Sequence, residues 1–216
     1  SVYKKFLGQT MVYGISTIAS RLLNFILTPI FTRSYGAAAL GVFTKMYAYA
    51  SMTNAILAFG METTFFRYLN KYENRKDQVY NNSFLIVAFI SVLFLVTGLV
   101  FTEPITKWLL NNHMSHYKDQ KRYVQYFLWL LFSDAICVIP FARIRADGKP
   151  FRYSIIKFVN ILSYVLLSLF FIYGIPLIIK HDLPGREFFQ SWFRDKWVGY
   201  VFISNLIASA ITFMLL

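Results

Sequence analysis

The chain has 216 residues, of which 57% are hydrophobic and only 15% are charged, and its mean hydropathy is +0.49. These values argue against an ordinary soluble domain, in which about 25% of the residues are charged. The net charge of +12 would suit a nucleic-acid-binding protein, but the cations lie mostly in short tracts between apolar runs, as in loops beside an anionic lipid surface. We therefore expect the lipid bilayer, and no nucleic acid, as a partner.

Apolar runs that are long enough to span a membrane recur along the chain. Residues 78–102, 158–179 and 197–216 contain no Asp, Glu, Lys or Arg, and about 20 helical residues cross a hydrocarbon core of about 30 Å. The pattern predicts an all-α, polytopic transmembrane bundle of about six helices. Their approximate ranges, in chain order, are 7–31, 41–65, 83–102, 123–142, 153–179 and 198–216.

The two ends of the chain carry separate expectations. The basic pair Lys4-Lys5 could precede a secretory signal, but the apolar run continues to Phe31 without a small-x-small cleavage site, so we expect a retained first helix. The last run reaches Leu216 without a polar residue to mark a membrane exit. We expect residues 1–216 to form the N-terminal six-helix lobe of a longer protein whose C-terminal lobe is absent from this chain.

Arg21 and Asp134 are the most deeply placed charged residues of the predicted spans. If their helices run in opposite directions, both lie about 15 Å below the same membrane face, at a rise of about 1.5 Å per residue. A charged side chain at the bilayer centre costs about 2.5–3.5 kcal/mol, so such groups face protein or water. The two residues would form a structural ion pair or share a cavity, and the sequence leaves both possibilities open.

Polar residues also recur on single faces of the predicted helices. The first helix has a stripe at spacings of three and four that includes Arg21 and Asn24, the second carries Asn54, and the fifth carries Lys157 and Asn160. Small and hydroxylated members of such stripes commonly mediate close helix packing. For these five larger residues we favour a wet, substrate-binding cavity.

A second layer of charge lies near the predicted cytoplasmic ends of the helices. Arg67, Arg143 and Arg145 would line a basic cytoplasmic mouth. Glu62 and Lys157 are close enough to a helix end for their charged groups to reach the interface, so charge alone does not define their roles. The Lys and Arg counts on the two sides scarcely differ, although the denser inner tracts favour a cytoplasmic N-terminus.

Catalytic and cofactor-binding patterns are missing from the sequence. His113 and His116 lie in a predicted loop without a cysteine or an obvious carboxylate ligand, so we expect no metal site. The sequence has no phosphate-binding loop, dinucleotide fingerprint or nucleophile elbow. We expect a protein that is not an enzyme and that needs no cofactor.

Three stretches of sequence form an ordered set of motifs. They are residues 5–10 (KFLGQT) and 20–25 (SRLLNF) with 35–36 (YG) and 40–43 (LGVF), residues 59–68 (FGMETTFFRY), and residues 143–150 (RIRADGKP) with 153–154 (YS). Together they resemble the first two helices, and the connector after the fourth, of bacterial polysaccharide flippases. These proteins belong to the multidrug/oligosaccharidyl-lipid/polysaccharide exporter superfamily.

The resemblance implies a fold, a location and a cargo. It implies two six-helix lobes around a central cavity, an N-terminus in the cytoplasm, and a place in the bacterial cytoplasmic (inner) membrane. The cargo would be undecaprenyl-pyrophosphate-linked oligosaccharide or polysaccharide repeat units, moved to the outer leaflet by alternating access. Arg21, Lys157, Arg143 and Arg145 would give the anionic headgroup a cationic path. Asp134 and Glu62 would balance that charge or couple transport to protons or sodium.

Two alternatives remain at this stage. An exporter of organic cations from the same superfamily would have the same fold, although its cavity would be expected to be more acidic. A membrane-embedded transferase acting on a polyprenyl lipid would need clustered carboxylates or a histidine-bearing loop, for which the candidates are Glu103, Asp119 and the pair His113 and His116. The sequence leaves the glycan, the coupling ion and the oligomeric state open.

Overall fold

The computed structural model describes residues 18, 22–23, 25–58, 60–109 and 117–216. Every regular segment within these residues is helical, which confirms the all-α prediction. The first described helix, α1, comprises residues 25–35. It is followed by α2 (Ala37–Ala58), α3 (Met61–Lys71), a 3₁₀ turn (Glu73–Arg75), α4 (Lys76–Val100), α5 (Thr102–Leu109), α6 (Tyr117–Ala146), α7 (Pro150–Leu169), a π-helical turn (Phe170–Gly174), α8 (Ile175–Lys180), α9 (Arg186–Trp192) and α10 (Gly199–Leu215).

Three of the described helical segments are long and apolar enough to cross a membrane. They are Glu73–Val100, Tyr117–Ala146 and Pro150–Lys180, and a shorter apolar helix, Gly199–Leu215, follows them. These segments support a membrane-embedded chain. The expected number of about six spans is not confirmed, in part because most of the first predicted helix lies outside the described residues.

The second predicted helix, residues 41–65, is not continuous. α2 ends at Ala58, and α3 begins at Met61 after Gly60, whose φ of 62° is left-handed. Glycine adopts this conformation without the steric penalty of a Cβ atom. The sequence did not indicate the break because the apolar run continues across it.

Several predicted connectors contain helices. The tract 66–82 is mostly helical because α3 continues to Lys71 and α4 begins at Lys76, while α5 and α9 occupy parts of the tracts 103–122 and 180–197. Hydropathy locates apolar runs, but an amphipathic helix at a membrane surface is half polar and escapes that criterion.

The predicted fifth helix, residues 153–179, contains a π-helical turn at Phe170–Gly174. A Cβ atom at Gly174 would lie 2.7 Å from the Phe170 ring, so the wider turn requires glycine there. Beyond the turn, Ile175 is fully buried and packs in a cluster with Phe171 and Tyr200, whose rings stack with centroids 4.7 Å apart. The turn therefore joins α7 to α8 within a packed region.

The core is built around α6, which contacts α2, α3, α4, α5, α7 and α10. Aromatic rings fill its centre: the Phe127 centroid lies 5.0 Å from that of Tyr47 on α2 and 5.1 Å from that of Phe202 on α10. α1 is held against α7 and α10 through buried Leu27 and Phe31. Because α6 is central, the polar residues that it carries face neighbouring helices.

Candidate binding cavity

A cavity of about 380 Å³ lies between α2, α6, α7 and α10. Its walls combine two charged side chains with amides and hydroxyls from all four helices. The polar lining residues are Asn54, Asp134, Lys157, Asn160, Asn205, Ser209 and Thr212. Phe141 and Cys137 belong to its apolar part. A mixed polar lining inside an apolar helical bundle is typical of a binding site in membrane proteins.

Asp134 lies within the second half of the 30-residue helix α6, far from both of its ends. Its Oδ1 atom accepts a hydrogen bond of 3.1 Å from the Ser209 hydroxyl. Asp134 lies between helices, but its side chain is exposed because it faces the cavity. Its charge interacts favourably with that of Lys157 on α7. The carboxylate is thus partly stabilised by protein and still open to the cavity.

Lys157 provides the positive charge of the cavity. Its Nζ atom lies 4.4 Å from the centroid of the Phe141 ring, in a cation–π contact. The ring face stabilises the charge but supplies no oxygen acceptor, whereas an ammonium group has three N–H donors. Lys157 is therefore suited to bind an anionic oxygen in the cavity.

Two amides connect this cavity with a second one. Asn160 Nδ2 donates a hydrogen bond of 2.8 Å to Thr212 Oγ1, and Asn205 Nδ2 donates one to the Tyr47 hydroxyl. Asn160 and Asn205 also line a neighbouring cavity of about 320 Å³, together with Tyr47 and Tyr164. The two cavities adjoin, so the polar lining continues from α6 towards α1.

The structure brings together the described residues of the predicted cavity. Asn54, Lys157 and Asn160 line one volume, and Asp134, predicted to balance charge or couple ions, lines it as well. Arg21 and Asn24 lie outside the described residues, and so does the proposed contact of Arg21 with Asp134.

The predicted mouth residues lie apart from this cavity. Glu62 Oε1 lies 2.5 Å from Arg145 Nη2, and Arg143 contacts Asp77 at 2.8 Å and Asp147 at 3.2 Å. We call these five residues the paired-charge cluster. Glu62 does balance charge, but it balances Arg145 and does not line the cavity.

Arg67, the remaining predicted mouth residue, is exposed on α3. Arg145 is held further by two rings, with its guanidinium 5.7 Å from the Phe66 centroid and 5.6 Å from that of Tyr153. The three predicted mouth arginines therefore have different surroundings. Arg143 and Arg145 tie α6 to other elements, whereas Arg67 presents its charge to the surface.

Sequence reasoning missed four cavity residues. Asn205, Ser209 and Thr212 follow each other at spacings of four and three on α10, and Tyr47 precedes Asn54 by two turns on α2. The α10 residues meet the same stripe criterion that identified the other helices. A charged residue is the stronger signal within an apolar run, and residues 197–216 have none.

The described residues contain no group of three or more His, Cys, Asp or Glu side chains that could hold a metal ion. His113 and His116 lie outside those residues. Comparisons of the chain with protein families, curated proteins and solved structures give no match.

Proposed function

We propose that this chain is the N-terminal lobe of a flippase that moves undecaprenyl-pyrophosphate-linked oligosaccharide or polysaccharide repeat units across the bacterial cytoplasmic membrane. One observation carries the proposal: Asp134, Lys157 and several amides converge on a single cavity between apolar helices. Charged groups in spanning helices are costly, and a passive anchor gains nothing from them. A cargo with a polar headgroup gives them a role.

The chemistry of the cavity fits an anionic, glycosylated headgroup. Lys157 would bind a pyrophosphate oxygen, because a charge-assisted hydrogen bond is about twice as strong as a neutral one. The amides of Asn54, Asn160 and Asn205 both donate and accept, which suits sugar hydroxyls. In the empty state Asp134 would balance Lys157, because an unpaired buried charge is strongly destabilising.

The size of the cavity supports a second lobe. A volume of about 380 Å³ lies at the lower end of the range of about 300–1,000 Å³ for small-molecule sites, and a lipid-linked repeat unit is larger. We propose that a C-terminal six-helix lobe completes the site. About six spans in this lobe, a cytoplasmic N-terminus and alternating access belong to the same proposal.

The test uses the full-length protein and removes one charge. Lys157→Gln keeps the approximate length of the side chain but not its ammonium group, and we expect surface display of the glycan to fall at least about tenfold. Lys149→Gln is the matched control, because the exposed ammonium group of Lys149 contacts Asp147 at 3.5 Å and does not line the cavity. Membrane-fraction protein is measured for both variants. Normal display with Lys157→Gln would contradict the proposal.

An exporter of organic cations is the second candidate, and it is favoured by the accessible carboxylate of Asp134 in the cavity. Such an exporter would confer resistance to cationic drugs that is lost in Asp134→Asn. A flippase would show no such resistance and would respond to Lys157→Gln in glycan display. The two measurements in the same cells separate the candidates.

The transferase alternative has less support. Its candidate carboxylates are engaged by cations: Glu103 contacts Lys121 at 2.7 Å, and Asp119 contacts Arg194 at 3.1 Å. The hydrogen bond and the charge of Lys121 lower the pKa of the exposed Glu103 carboxyl. A carboxyl group with a lowered pKa is a poor general acid.

A further inference from the structure

A second, larger cavity of about 540 Å³ forms a groove between α3 and α4. The two helices meet at the 3₁₀ turn Glu73–Arg75 and lie side by side, so both groove walls lead away from that turn. α4 also begins the first candidate membrane span, Glu73–Val100. The groove thus starts at one end of the bundle and follows the span inward.

The polarity of the groove changes along its length. Away from the turn, one wall presents Tyr72, Tyr68, Thr64 and Met61. The other wall presents Arg75, Gln78, Val79, Asn82, Ser83 and Ile86. The charged and phenolic side chains lie at the end near the turn, and the apolar Met61 and Ile86 lie about 16 Å from it, at the helical rise of about 1.5 Å per residue. The groove has a polar end and an apolar end, as an amphiphile has.

The polar end carries excess positive charge. Two of the carboxylates in this segment, Glu62 and Asp77, are bound by Arg145 and Arg143 of α6. Glu73 is the remaining carboxylate between residues 61 and 82. The segment carries four exposed cations against this one carboxylate: Arg67, Lys71, Arg75 and Lys76. Of these, Arg75 is the one that lines the groove. An anionic group near the turn would be favoured by these neighbouring cations.

Two tyrosines mark the depth of a membrane interface. The rings of Tyr68 and Tyr72 are nearly parallel, with centroids 6.0 Å apart, and 46% and 42% of their surfaces are exposed. Lys71 Nζ lies 5.4 Å from the Tyr72 centroid. Tyrosine is enriched where the hydrocarbon meets the headgroups, since its ring is apolar and its hydroxyl is wet. These rings would place the polar end at headgroup level.

We propose that this groove binds one anionic phospholipid. The headgroup phosphate lies near Arg75 and Gln78, and an acyl chain follows Met61 and Ile86 towards the membrane interior. Charge complementarity selects an anionic lipid over a zwitterionic one, and the apolar end selects a lipid over a free phosphate. The inference is independent of the proposed flippase activity, because it requires only that α4 lies in a bilayer.

The test measures lipid binding to the full-length protein in a neutral detergent by native mass spectrometry. Phosphatidylglycerol and phosphatidylcholine with identical acyl chains are compared. We expect phosphatidylglycerol to bind about fivefold more tightly, and Arg75→Gln to remove most of that difference. Arg152→Gln is the matched control, because Arg152 is an exposed cation at the same end of the bundle but outside the groove. It should preserve the preference.

Other outcomes overturn the proposal. Equal binding of the two lipids would exclude selection by charge, and an unchanged preference in Arg75→Gln would place the anionic lipid elsewhere. Displacement of the lipid by an equal concentration of glycerol phosphate would show that the apolar end of the groove contributes nothing to the binding affinity. Each variant is checked by size-exclusion elution. If Arg75→Gln does not elute as the native protein does, Lys71→Gln carries the same expectation, because Lys71 Nζ lies over the ring of the groove residue Tyr72.

Discussion

The central cavity and the paired-charge cluster use the same residue types in different ways. In the cluster, Arg145 contacts Glu62 at 2.5 Å and lies over two aromatic rings, so each charge has a partner in the protein. In the cavity, Asp134 and Lys157 interact while facing an open volume. The comparison shows that charge in a span is informative only with its geometry. A closed pair stabilises helix packing, whereas an open one remains available to a ligand.

The largest expected effect concerns water in the cavity. Asn54 lines the cavity on α2, whereas Ile56, two residues later, is 68% exposed but does not line it. In a Cys137→Ser background, Asn54→Cys should react with a charged thiol reagent at least about tenfold faster than Ile56→Cys, because only the thiolate reacts and hydrocarbon disfavours it. Equal rates would mean that the cavity is no wetter than the outer surface of the helix.

The next effect concerns the stability of the paired-charge cluster. Arg145→Met should lower the free energy of unfolding by about 2 kcal/mol, a value below that for fully buried pairs because both partners are partly exposed. Arg67→Met is the control on the exposed face of α3, and its effect should stay within about 0.5 kcal/mol.

A double-mutant cycle isolates the pair itself. If the contact of Arg145 with Glu62 carries the effect, Glu62→Gln should cost much less in the Arg145→Met background than alone. The stabilities of the native protein, the two single variants and the double variant are measured by thermal unfolding in detergent. Fully additive losses would show that the pair contributes no energy of its own, and the contrast between the cluster and the cavity would then fail.

Gly60 joins the helix that carries Asn54 to the helix that carries Glu62, and so connects the cavity with the paired-charge cluster. Gly60→Ala should lower the free energy of unfolding by about 1–2 kcal/mol, because a non-glycine residue resists the left-handed conformation. No atom of the described residues crowds the added Cβ, so strain in the backbone is the cause. Gly41→Ala, in the second turn of α2, should instead stabilise the protein by about 0.5–1 kcal/mol.

The smallest expected effect concerns hydrogen bonding within the cavity. Asn160→Leu removes the 2.8 Å bond to Thr212, whose hydroxyl still donates to the Ala208 carbonyl at 3.0 Å. The free energy of unfolding should fall by about 0.6 kcal/mol, the average for such bonds in membranes. Thr212→Val should produce a similar loss, and the double variant should lose no more than the larger single one. If the free energy of unfolding fell by more than about 2 kcal/mol, Asn160 would contribute as much to stability as the paired-charge cluster does.

The sequence predicted the part of the site that depends on unusual residue types. Asp134, Lys157, Asn54 and Asn160 stand out in apolar runs because polar groups there are costly. The hydroxyl groups of α10 did not stand out, since serine and threonine are common in helix packing. The partner of Arg143 was also beyond prediction: Asp77 lies 66 residues earlier, and only tertiary structure brings the two together.

The extent of the helices was predictable only in part, for a similar reason. Apolar runs located α4, α6, α7 and α10, because each must bury or immerse a long hydrophobic surface. The break at Gly60 depends on one backbone angle, and no run of residues encodes it. In α3, Phe65 and Leu69 are the buried residues, and the polar residues around them keep its hydropathy below that of a membrane span.

The π-helical turn at Phe170–Gly174 lies beyond the part of its helical segment that lines the cavity. One extra residue in a turn shifts the phase of everything that follows by about 100°, the rotation of a single helical residue. The polar face that runs from Lys157 through Asn160 to Tyr164 has no continuation on α8, whose residues before Lys180 are apolar in every helical phase. The shift instead decides which apolar side chain enters the core, and Ile175 packs in the aromatic cluster around Tyr200. The π-helical turn thus changes the packing face of one spanning segment without interrupting its backbone.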